Sequence, residues 1–224
     1  LVSLTVSSSF DTSKVTDMCY MFSGDSSLKR LDLSSFTTNN VEDMSYMFQY
    51  CYSLEEIRGL DKFITSQVYD MSSMFHYCEK LSSIDVSRFE VNKVTGMSYM
   101  FYYCASVDKL ETSNFKTDEL REMSYMFMGC QSLTSLNLKN FNTKDVISME
   151  NLFSLCYKIT SLDLSYFETR NVVNMMGMFS YCRELAHLDI SRFSTSQVNN
   201  MANMFSTTTS LKSLTISLIV SGSL

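Results

Sequence analysis

A Met-Phe pair that returns at a fixed distance along the chain constrains the fold more than any other feature. Successive pairs lie 26 residues apart, with one step of 27, and Leu152-Phe153 fills the one position without Met. The pairs are Met21-Phe22, Met47-Phe48, Met74-Phe75, Met100-Phe101, Met126-Phe127, Met178-Phe179 and Met204-Phe205. A period of this length indicates a solenoid, in which each repeat buries its apolar face against its neighbours.

A second series of phenylalanines keeps the same period, so that all 16 Phe occupy one of two positions in the repeat. This series is Phe10, Phe36, Phe63, Phe89, Phe115, Phe141, Phe167 and Phe193. We therefore predict one solenoid domain over residues 1–224, with about eight units.

Within one repeat, the apolar residues from Val41 to Cys51 have helical spacing. Val41, Met44, Met47, Phe48 and Cys51 fall within an arc of roughly 120° on a helical wheel. Residues 38–40 are Thr-Asn-Asn, and such residues favour a helix start. The pattern predicts a short helix that buries this face in every unit.

A second segment of the repeat alternates as a strand does. Residues 28–33 read L-x-x-L-x-L, and the same reading fits residues 133–138, 159–164 and 185–190. Stacked strand–helix units give an α/β solenoid, with a parallel sheet on one face and short helices on the other. Its crossovers are expected to be right-handed. Gly59-Leu60 holds the extra residue of the 27-residue unit, which predicts a bulge or an expanded loop.

The seven cysteines follow the repeat rather than a disulfide pattern. Six of them come three residues after a repeat Phe, on the predicted buried face: Cys51, Cys78, Cys104, Cys130, Cys156 and Cys182. Parallel side chains at a strand spacing of about 4.8 Å are too far apart for relaxed disulfides, so we predict free, buried thiols. Cys19 lies outside this series and is expected at the surface.

Charge and hydropathy exclude several classes of partner. The net charge of −6 shows no basic face for nucleic acid and no polybasic patch for a membrane. No apolar run is long enough for a transmembrane helix, so direct membrane insertion is not expected. No basic, apolar leader opens the chain.

The repeat resembles the BspA-type leucine-rich repeats of bacterial cell-surface proteins and mycoplasma lipoproteins. The resemblance rests on "VEDMSYMFQYCYSLEEI", "VTGMSYMFYYCASVDKL" and "SLDLSYFETRNVVNMMGMFSYC", and it extends from about residue 1 to residue 216. It implies a right-handed leucine-rich-repeat stack of about eight 26-residue units. It also implies an extracellular, surface-attached protein that binds host or bacterial partners and has no catalytic residues.

Tyrosines on the predicted outer face are the first candidate ligand-binding surface. On the helical wheel they lie opposite the buried arc, and exposed aromatic patches mark binding surfaces. The candidates are Tyr20, Tyr46, Tyr50, Tyr77, Tyr99, Tyr103, Tyr125 and Tyr181. They would bind a sugar or a protein, or would lie flat against neighbouring units and shield the core.

Charged residues between the strand leucines are the second candidate surface. They are Asp32, Arg58, Asp85, Glu111, Asp163, His187 and Asp189. One carboxylate per unit is few for Ca²⁺, which takes six to eight oxygen ligands. We therefore expect a solvated face with hydrogen-bonded Asp-Ser turns and no metal site.

Catalytic chemistry has little support in the sequence. His76 and His187 lie at different positions of the repeat, and no nucleophile, zinc or phosphate-loop motif is present. We expect no catalytic residues and no cofactor.

Three functional hypotheses remain from the sequence. The first is a non-enzymatic surface recognition or adhesion module for an extracellular protein or glycan, and the second is a structural spacer that presents another domain. Self-association through the solenoid ends is a further expectation. The third is ice binding through a threonine series, which also occupies the predicted helix-cap positions: Thr12, Thr38, Thr65, Thr117, Thr143, Thr169 and Thr195.

Overall fold

The computed structural model describes residues 1–216, which form a solenoid of eight coils with the predicted repeat. One side of each coil is a run of tight turns, and we call this side the turn face. Its segments are residues 15–28, 41–54, 68–81, 94–107, 120–133, 146–159, 172–185 and 198–211. The other side carries short strands, and we call it the strand face.

Within residues 1–216, seven short parallel strands lie on the strand face, in three separate sheets. The first sheet is β1 (Ser3–Thr5), β2 (Arg30–Asp32) and β3 (Glu56–Arg58); the second is β4 (Lys109–Leu110) and β5 (Ser135–Leu136); the third is β6 (His187–Ile190) and β7 (Ser213–Ile216). The strands predicted near residues 28–33, 133–138 and 185–190 are confirmed. Near residues 159–164 only Ser161 pairs, with His187.

The short helices predicted on the opposite face are wrong. Within residues 1–216 the one helical element is a 3-10 turn at Leu60–Lys62. On the turn face the N–H groups of Met44 and Tyr46 donate to carbonyls of the next coil at 3.0 and 2.8 Å. The intervening N–H groups of Met47 and Gln49 donate to the carbonyls three residues earlier, at 3.4 and 3.0 Å.

This alternation explains why the apolar spacing was misleading. Buried residues three or four apart fit a helix, but they equally fit consecutive tight turns. In an α-helix the inner N–H groups all bond within their own segment, whereas here every second group bonds to the next coil. One bridged residue per coil then forms an unbroken parallel ladder, which runs through Asp17, Asp43, Asp70, Gly96, Glu122, Ser148, Asn174 and Asn200.

Two phenylalanine series fill the core, as predicted. In the series that begins at Phe22, adjacent ring centroids lie 5.4 to 5.9 Å apart, with interplanar angles of 1° to 18°. The second series is also buried from Phe36 to Phe193, while Phe10 in the first coil is 52% exposed. Stacking of identical units therefore buries the apolar face that one unit leaves open.

The six repeat cysteines are free and buried, in agreement with the prediction. Each thiol donates to the carbonyl of the Phe in the preceding coil, at 3.1 to 3.2 Å; Cys104 to Phe75 is one example. Burial raises the pKa of the Cys51, Cys130 and Cys182 thiols to about 12. Cys19, which we expected at the surface, is half-buried with Sγ 3.1 Å from Ser45 Oγ.

The threonine series does not cap α-helices, because residues 1–216 contain none. Thr38 Oγ1 donates to the Ile64 carbonyl at 3.0 Å and accepts the Ile64 N–H at 2.8 Å. Thr12, Thr65, Thr117, Thr143 and Thr169 bridge to the next coil in the same way. From Thr12 to Thr169 the series is buried, so its hydroxyls do not form the open row that ice binding would need.

The extra residue of the 27-residue unit produces the predicted loop expansion. Gly59, with φ of +91°, precedes the 3-10 turn. A Cβ at Gly59 would lie 2.6 Å from the Ser34 backbone N, so the preceding coil leaves room only for glycine.

Candidate binding surface

The eight candidate tyrosines all lie on the turn face, at positions with left-handed backbone. Each turn-face segment has two residues with φ between +50° and +80°. The first position holds Tyr20, Tyr46, Ser73, Tyr99, Tyr125, Asn151, Gly177 and Asn203; the second holds Gly24, Tyr50, Tyr77, Tyr103, Gly129, Leu155, Tyr181 and Thr207. Glycine and asparagine favour this conformation, whereas tyrosine in it is strained by roughly 1 kcal/mol or more.

Left-handed backbone directs each side chain toward the next coil. A Cβ built on Gly129 would lie 2.7 Å from a ring carbon of Tyr103, so this ring rests directly on the backbone of the following coil. Where the next coil also has tyrosine, the rings stack: Tyr20 on Tyr46 at 4.4 Å and Tyr99 on Tyr125 at 4.6 Å, each with a 6° interplanar angle. Such pairs are worth about 0.5 to 1.5 kcal/mol beyond burial, which offsets part of the strain.

The tyrosines of the second position form a similar column. Ring centroids lie 5.8 Å apart for Tyr50 and Tyr77 and 5.0 Å apart for Tyr77 and Tyr103. Tyr181 lies apart from this column, beside Arg183, whose guanidinium carbon is 5.9 Å from the Tyr181 centroid and 4.6 Å from the Tyr157 centroid.

Three further aromatic residues join the columns, and sequence reasoning missed them as site residues. His76 stacks on Tyr99 at 5.7 Å, where Ser73 interrupts the first column, and Tyr102 meets His76 edge-on at 4.7 Å. Tyr52 lies 5.8 Å from both Tyr50 and Tyr77. We call the resulting cluster the aromatic patch: Tyr50, Tyr52, His76, Tyr77, Tyr99, Tyr102, Tyr103 and Tyr125. In the sequence, each of these three residues stands one or two positions from a candidate tyrosine, in "YCY", "HY" and "YY".

Burial disfavours the charged forms of His76 and Tyr125 in the patch. Burial lowers the pKa of His76 to about 4, and its Nδ1 lies 3.2 Å from Gln49 Nε2. Burial also raises the pKa of Tyr125 to about 12, and the Tyr125 hydroxyl donates to Glu150 Oε1. Near neutral pH the surface is therefore aromatic and uncharged at its centre.

Ring stacking limits what the patch can bind. Tyr50 and Tyr52 are 37% and 40% exposed, while Tyr77, Tyr99 and Tyr103 are half-buried. In the stacked pairs one ring face is covered by the neighbouring ring, so a partner meets mainly ring edges, hydroxyls and the uncovered faces. This geometry favours a protein surface over a sugar that needs several open ring faces.

The strand-face candidates are spread along the solenoid and do not form one site. Asp32 and Arg58 are neighbours in the first sheet, and His187 and Asp189 lie on β6 in the third. Asp85, Glu111 and Asp163 are exposed and lie between strands. His76 lies on the turn face and His187 on the strand face, so the structure does not bring the two histidines together.

The Asp-Ser turns expected on the strand face are present. One carboxylate oxygen of Asp32, Asp85, Asp163 and Asp189 accepts the N–H two residues later, at 2.9 to 3.1 Å. The hydroxyl and N–H of Ser165 lower the pKa of Asp163 in this way. These carboxylates accept hydrogen bonds from their own backbone. His187 Nδ1 lies 2.8 Å from Ser213 Oγ.

A family model described as "Mycoplasma protein of unknown function, DUF285" matches residues 5–58, 55–159 and 133–218. The chain belongs to the DUF285 family. The three matches together extend over almost all of the sequence, as expected for a repeat. The resemblance to BspA-type repeats is thereby confirmed. None of the curated proteins matches this DUF285 chain.

Solved structures similar to the DUF285 chain are bacterial leucine-rich repeat proteins. The Treponema pallidum leucine-rich repeat protein has 21% identity and a TM-score of 0.53, over 82% of this chain and 78% of that one. Two further matches are weaker. A Bacteroides ovatus leucine-rich repeat protein has 16% identity and a TM-score of 0.42, over 96% of this chain and 58% of that one. A Faecalibacterium prausnitzii leucine-rich cell surface protein has 17% identity and a TM-score of 0.32, over 100% of this chain and 80% of that one. The first similarity supports the leucine-rich-repeat fold.

No helix of the DUF285 chain between residues 1 and 216 is long and apolar enough to cross a membrane.

Proposed function

We propose that the chain is a non-enzymatic recognition module of an extracellular cell-surface protein, which binds a protein partner through the aromatic patch. The observation that carries this proposal is the cluster of seven tyrosines and one uncharged histidine on one side of the turn face. Tyrosine combines a large apolar area with a polar hydroxyl and is enriched at the centres of protein interfaces.

The rigidity of the surface supports the proposal. Stacked rings on a backbone held by inter-coil hydrogen bonds lose little freedom when a partner binds, and preorganised surfaces bind more tightly for the same area.

The test is a binding screen of the purified chain against matrix proteins, mucins and a glycan panel. The variant is Tyr50→Gly with Tyr77→Gly, because Gly24 and Gly129 already occupy the same left-handed position in other coils. The matched control is Tyr166→Ser, at a 54% exposed tyrosine outside the patch. A saturable ligand that the double variant loses and the control keeps supports the proposal, provided that the melting transition shows the double variant is folded.

Four other outcomes point elsewhere. A ligand retained by the double variant moves the site to the strand face or to the solenoid ends. Binding restricted to glycans replaces the protein partner with a sugar. No ligand at all favours the spacer hypothesis, and a concentration-dependent mass in solution favours self-association through the ends.

A further inference from the structure

We infer that the partner of the aromatic patch is a basic, arginine-bearing protein segment. This inference rests on the proposed function and deepens it by naming the chemistry of the partner. Three observations on the chain support it: where acidic residues lie, how an arginine of this chain already packs, and which rings lack a parallel neighbour.

Acidic residues and patch tyrosines share the same part of the solenoid. The turn-face segments of the first five coils carry seven acidic and two basic side chains, a net charge of −5. Those of the last three coils carry two of each, a net charge of zero. Seven of the eight left-handed tyrosines also lie in the first five coils. The aromatic surface is therefore placed where a positively charged partner is attracted.

Individual carboxylates border the patch. Burial and neighbouring tyrosines raise the pKa of Tyr52 and Tyr103, and the charge of Glu79 adds a smaller contribution to each, so Glu79 lies near both rings. At the Tyr125 end of the patch, Glu150 Oε1 accepts the Tyr125 hydroxyl and Glu150 Oε2 accepts Asn174 Nδ2 at 2.9 Å. A cation over the rings would thus lie near carboxylates that no ion pair with Lys or Arg occupies within residues 1–216.

The chain itself shows how a guanidinium packs on this face. Arg183 lies 4.6 Å above the Tyr157 ring and 5.9 Å from Tyr181, in the part of the turn face that lacks the acidic excess. Cation–π contacts of this kind are worth about 0.5 to 2 kcal/mol each, and arginine forms them more often than lysine. The first five coils offer more rings but no arginine in such a contact among the described residues.

Ring orientation leaves room for this contact. Tyr102 is tilted or edge-on to all five rings near it in the described residues, at 51° to Tyr103, 58° to Tyr99, 61° to Tyr125 and 78° to both His76 and Tyr77, so none of them stacks flat on it. Tyr50 and Tyr52, at the edge of the patch, are the most exposed of its rings. A flat guanidinium fits against such faces while its N–H groups reach the carboxylates.

The experiment measures binding of labelled peptides to the intact chain by fluorescence anisotropy. The probes are a Gly-Ser peptide with four arginines and the same peptide with four lysines or four glutamines. We expect saturable binding of the arginine peptide, roughly 5-fold weaker binding of the lysine peptide, and none of the glutamine peptide. Affinity should fall as salt is raised, because the charges are exposed.

Variants assign the binding to the patch. Tyr50→Gly with Tyr77→Gly should weaken binding of the arginine peptide about 10-fold. Glu79→Gln should weaken it about 3-fold and should also make the binding less dependent on salt. The controls are Tyr166→Ser and Glu168→Gln, an exposed carboxylate outside the patch, and both should bind as the unmodified chain does. Equal affinity for arginine and lysine peptides together with no effect of the tyrosine variant would indicate only general attraction and would overturn the inference.

The same variants separate this inference from the proposed function. A protein ligand that the tyrosine variant loses, while the arginine peptide fails to bind, leaves the proposed function standing and refutes the basic partner. If the tyrosine variant loses neither the protein ligand nor the arginine peptide, both the proposed function and the basic partner are refuted. If the arginine peptide and a ligand from the screen both bind and compete with each other, the proposed function and the basic partner are both supported.

Discussion

The turn face and the strand face of the solenoid differ in how the coils are joined. On the strand face the parallel pairing is divided into three sheets, and two coils lack a strand altogether between β3 and β4 and between β5 and β6. On the turn face the backbone ladder passes through all eight coils without interruption. The backbone pairing between coils is therefore more regular on the turn face than on the strand face, although turns are usually the variable part of a fold.

Side-chain chemistry accounts for this difference. The turn-face segments bury the same Met, Phe and Cys positions in nearly every coil, and each thiol reaches a Phe carbonyl of the coil before it. The strand face buries only alternate residues, and its exposed positions vary from Asp to Arg to His. Identical buried units enforce identical geometry, so we expect the turn face to carry most of the stability.

The largest expected effect comes from ionising the buried thiols, which all belong to the turn face. Their folded-state pKa values lie above the usual 9.0, reaching about 12 for Cys51, Cys130 and Cys182, because burial disfavours the thiolate. The folded thiols stay protonated while unfolded thiols ionise. Stability is therefore complete below pH 9 and is lost as pH rises toward 12, by about 1 kcal/mol per thiol between pH 9 and pH 10.

Urea unfolding at pH 8, 9 and 10 measures this loss, which should reach about 3 kcal/mol from Cys51, Cys130 and Cys182, with a further loss from the three other buried thiols. The matched variant is Cys104→Ser with Cys130→Ser, which keeps a donor at each position but removes two of the six titrating groups. Its loss between pH 9 and pH 10 should be about one third smaller. A pH dependence that is the same in the variant would contradict the assignment to the thiols.

The next effect contrasts the two faces directly. Phe101 is fully buried in the turn-face ring stack, whereas Leu136 on β5 is only partly buried. Phe101→Ala should lower the free energy of unfolding by about 3 to 5 kcal/mol, because it removes a ring between two stacked neighbours. Leu136→Ala should cost about 1 to 2 kcal/mol, since less apolar area is lost. Denaturant unfolding of both variants compares the faces, and equal losses would remove the distinction.

A third effect concerns the one glycine that the strand face requires. At Gly59 an added methyl would meet the Ser34 backbone at 2.6 Å, whereas at Gly24 on the turn face nothing lies within 4 Å. Both glycines have positive φ, of +91° and +80°, so both substitutions bring backbone strain. We expect thermal unfolding to show a loss of about 1 kcal/mol for Gly24→Ala and of about 2 to 3 kcal/mol for Gly59→Ala. Similar losses at both positions would show that the close approach at Gly59 relaxes freely.

The sequence predicts the repeat, the buried Phe and Cys positions and several strands, because burial leaves a strict period. It does not distinguish a helix from consecutive turns, since Val41, Met44, Met47 and Cys51 have the same spacing in both. The discriminating residues were Gly24, Gly129, Gly177, Asn151 and Asn203, which share positions with the tyrosines and indicate left-handed backbone. Reading those positions together would have excluded the helix.

The candidate surface was predictable only in outline. The tyrosine positions follow from the repeat, but His76, Tyr102 and Tyr52 fall at other positions and join the patch only through stacking between coils. The threonine positions do not distinguish a helix cap from an inter-coil bridge, because both use a short hydroxyl. What separates the two roles is the partner, which for Thr38 is Ile64 in the next coil.

The smallest effect tests the corner where the two faces meet. Thr65 exchanges two hydrogen bonds with Glu90 in the next coil, at 2.9 and 2.7 Å. The next coil has Val91 at this position, buried and without a hydroxyl, and there the Lys116 N–H donates instead to the Asn114 carbonyl of its own coil at 2.9 Å. The Val91 coil is therefore the one natural gap in the threonine series.

Val91→Thr should close this gap, because threonine matches valine in shape and places a hydroxyl toward Lys116. We expect a gain of about 1 kcal/mol, while Thr65→Val, which opens an equivalent gap, should lose about 1 to 2 kcal/mol. Denaturant unfolding of both variants measures the pair. If Lys116 keeps its bond to Asn114, the new hydroxyl is buried without a partner and Val91→Thr destabilises instead. A loss of stability in both variants would then mean that the backbone around Val91 differs from that around Thr65, and that the two faces are less tightly coupled at Val91.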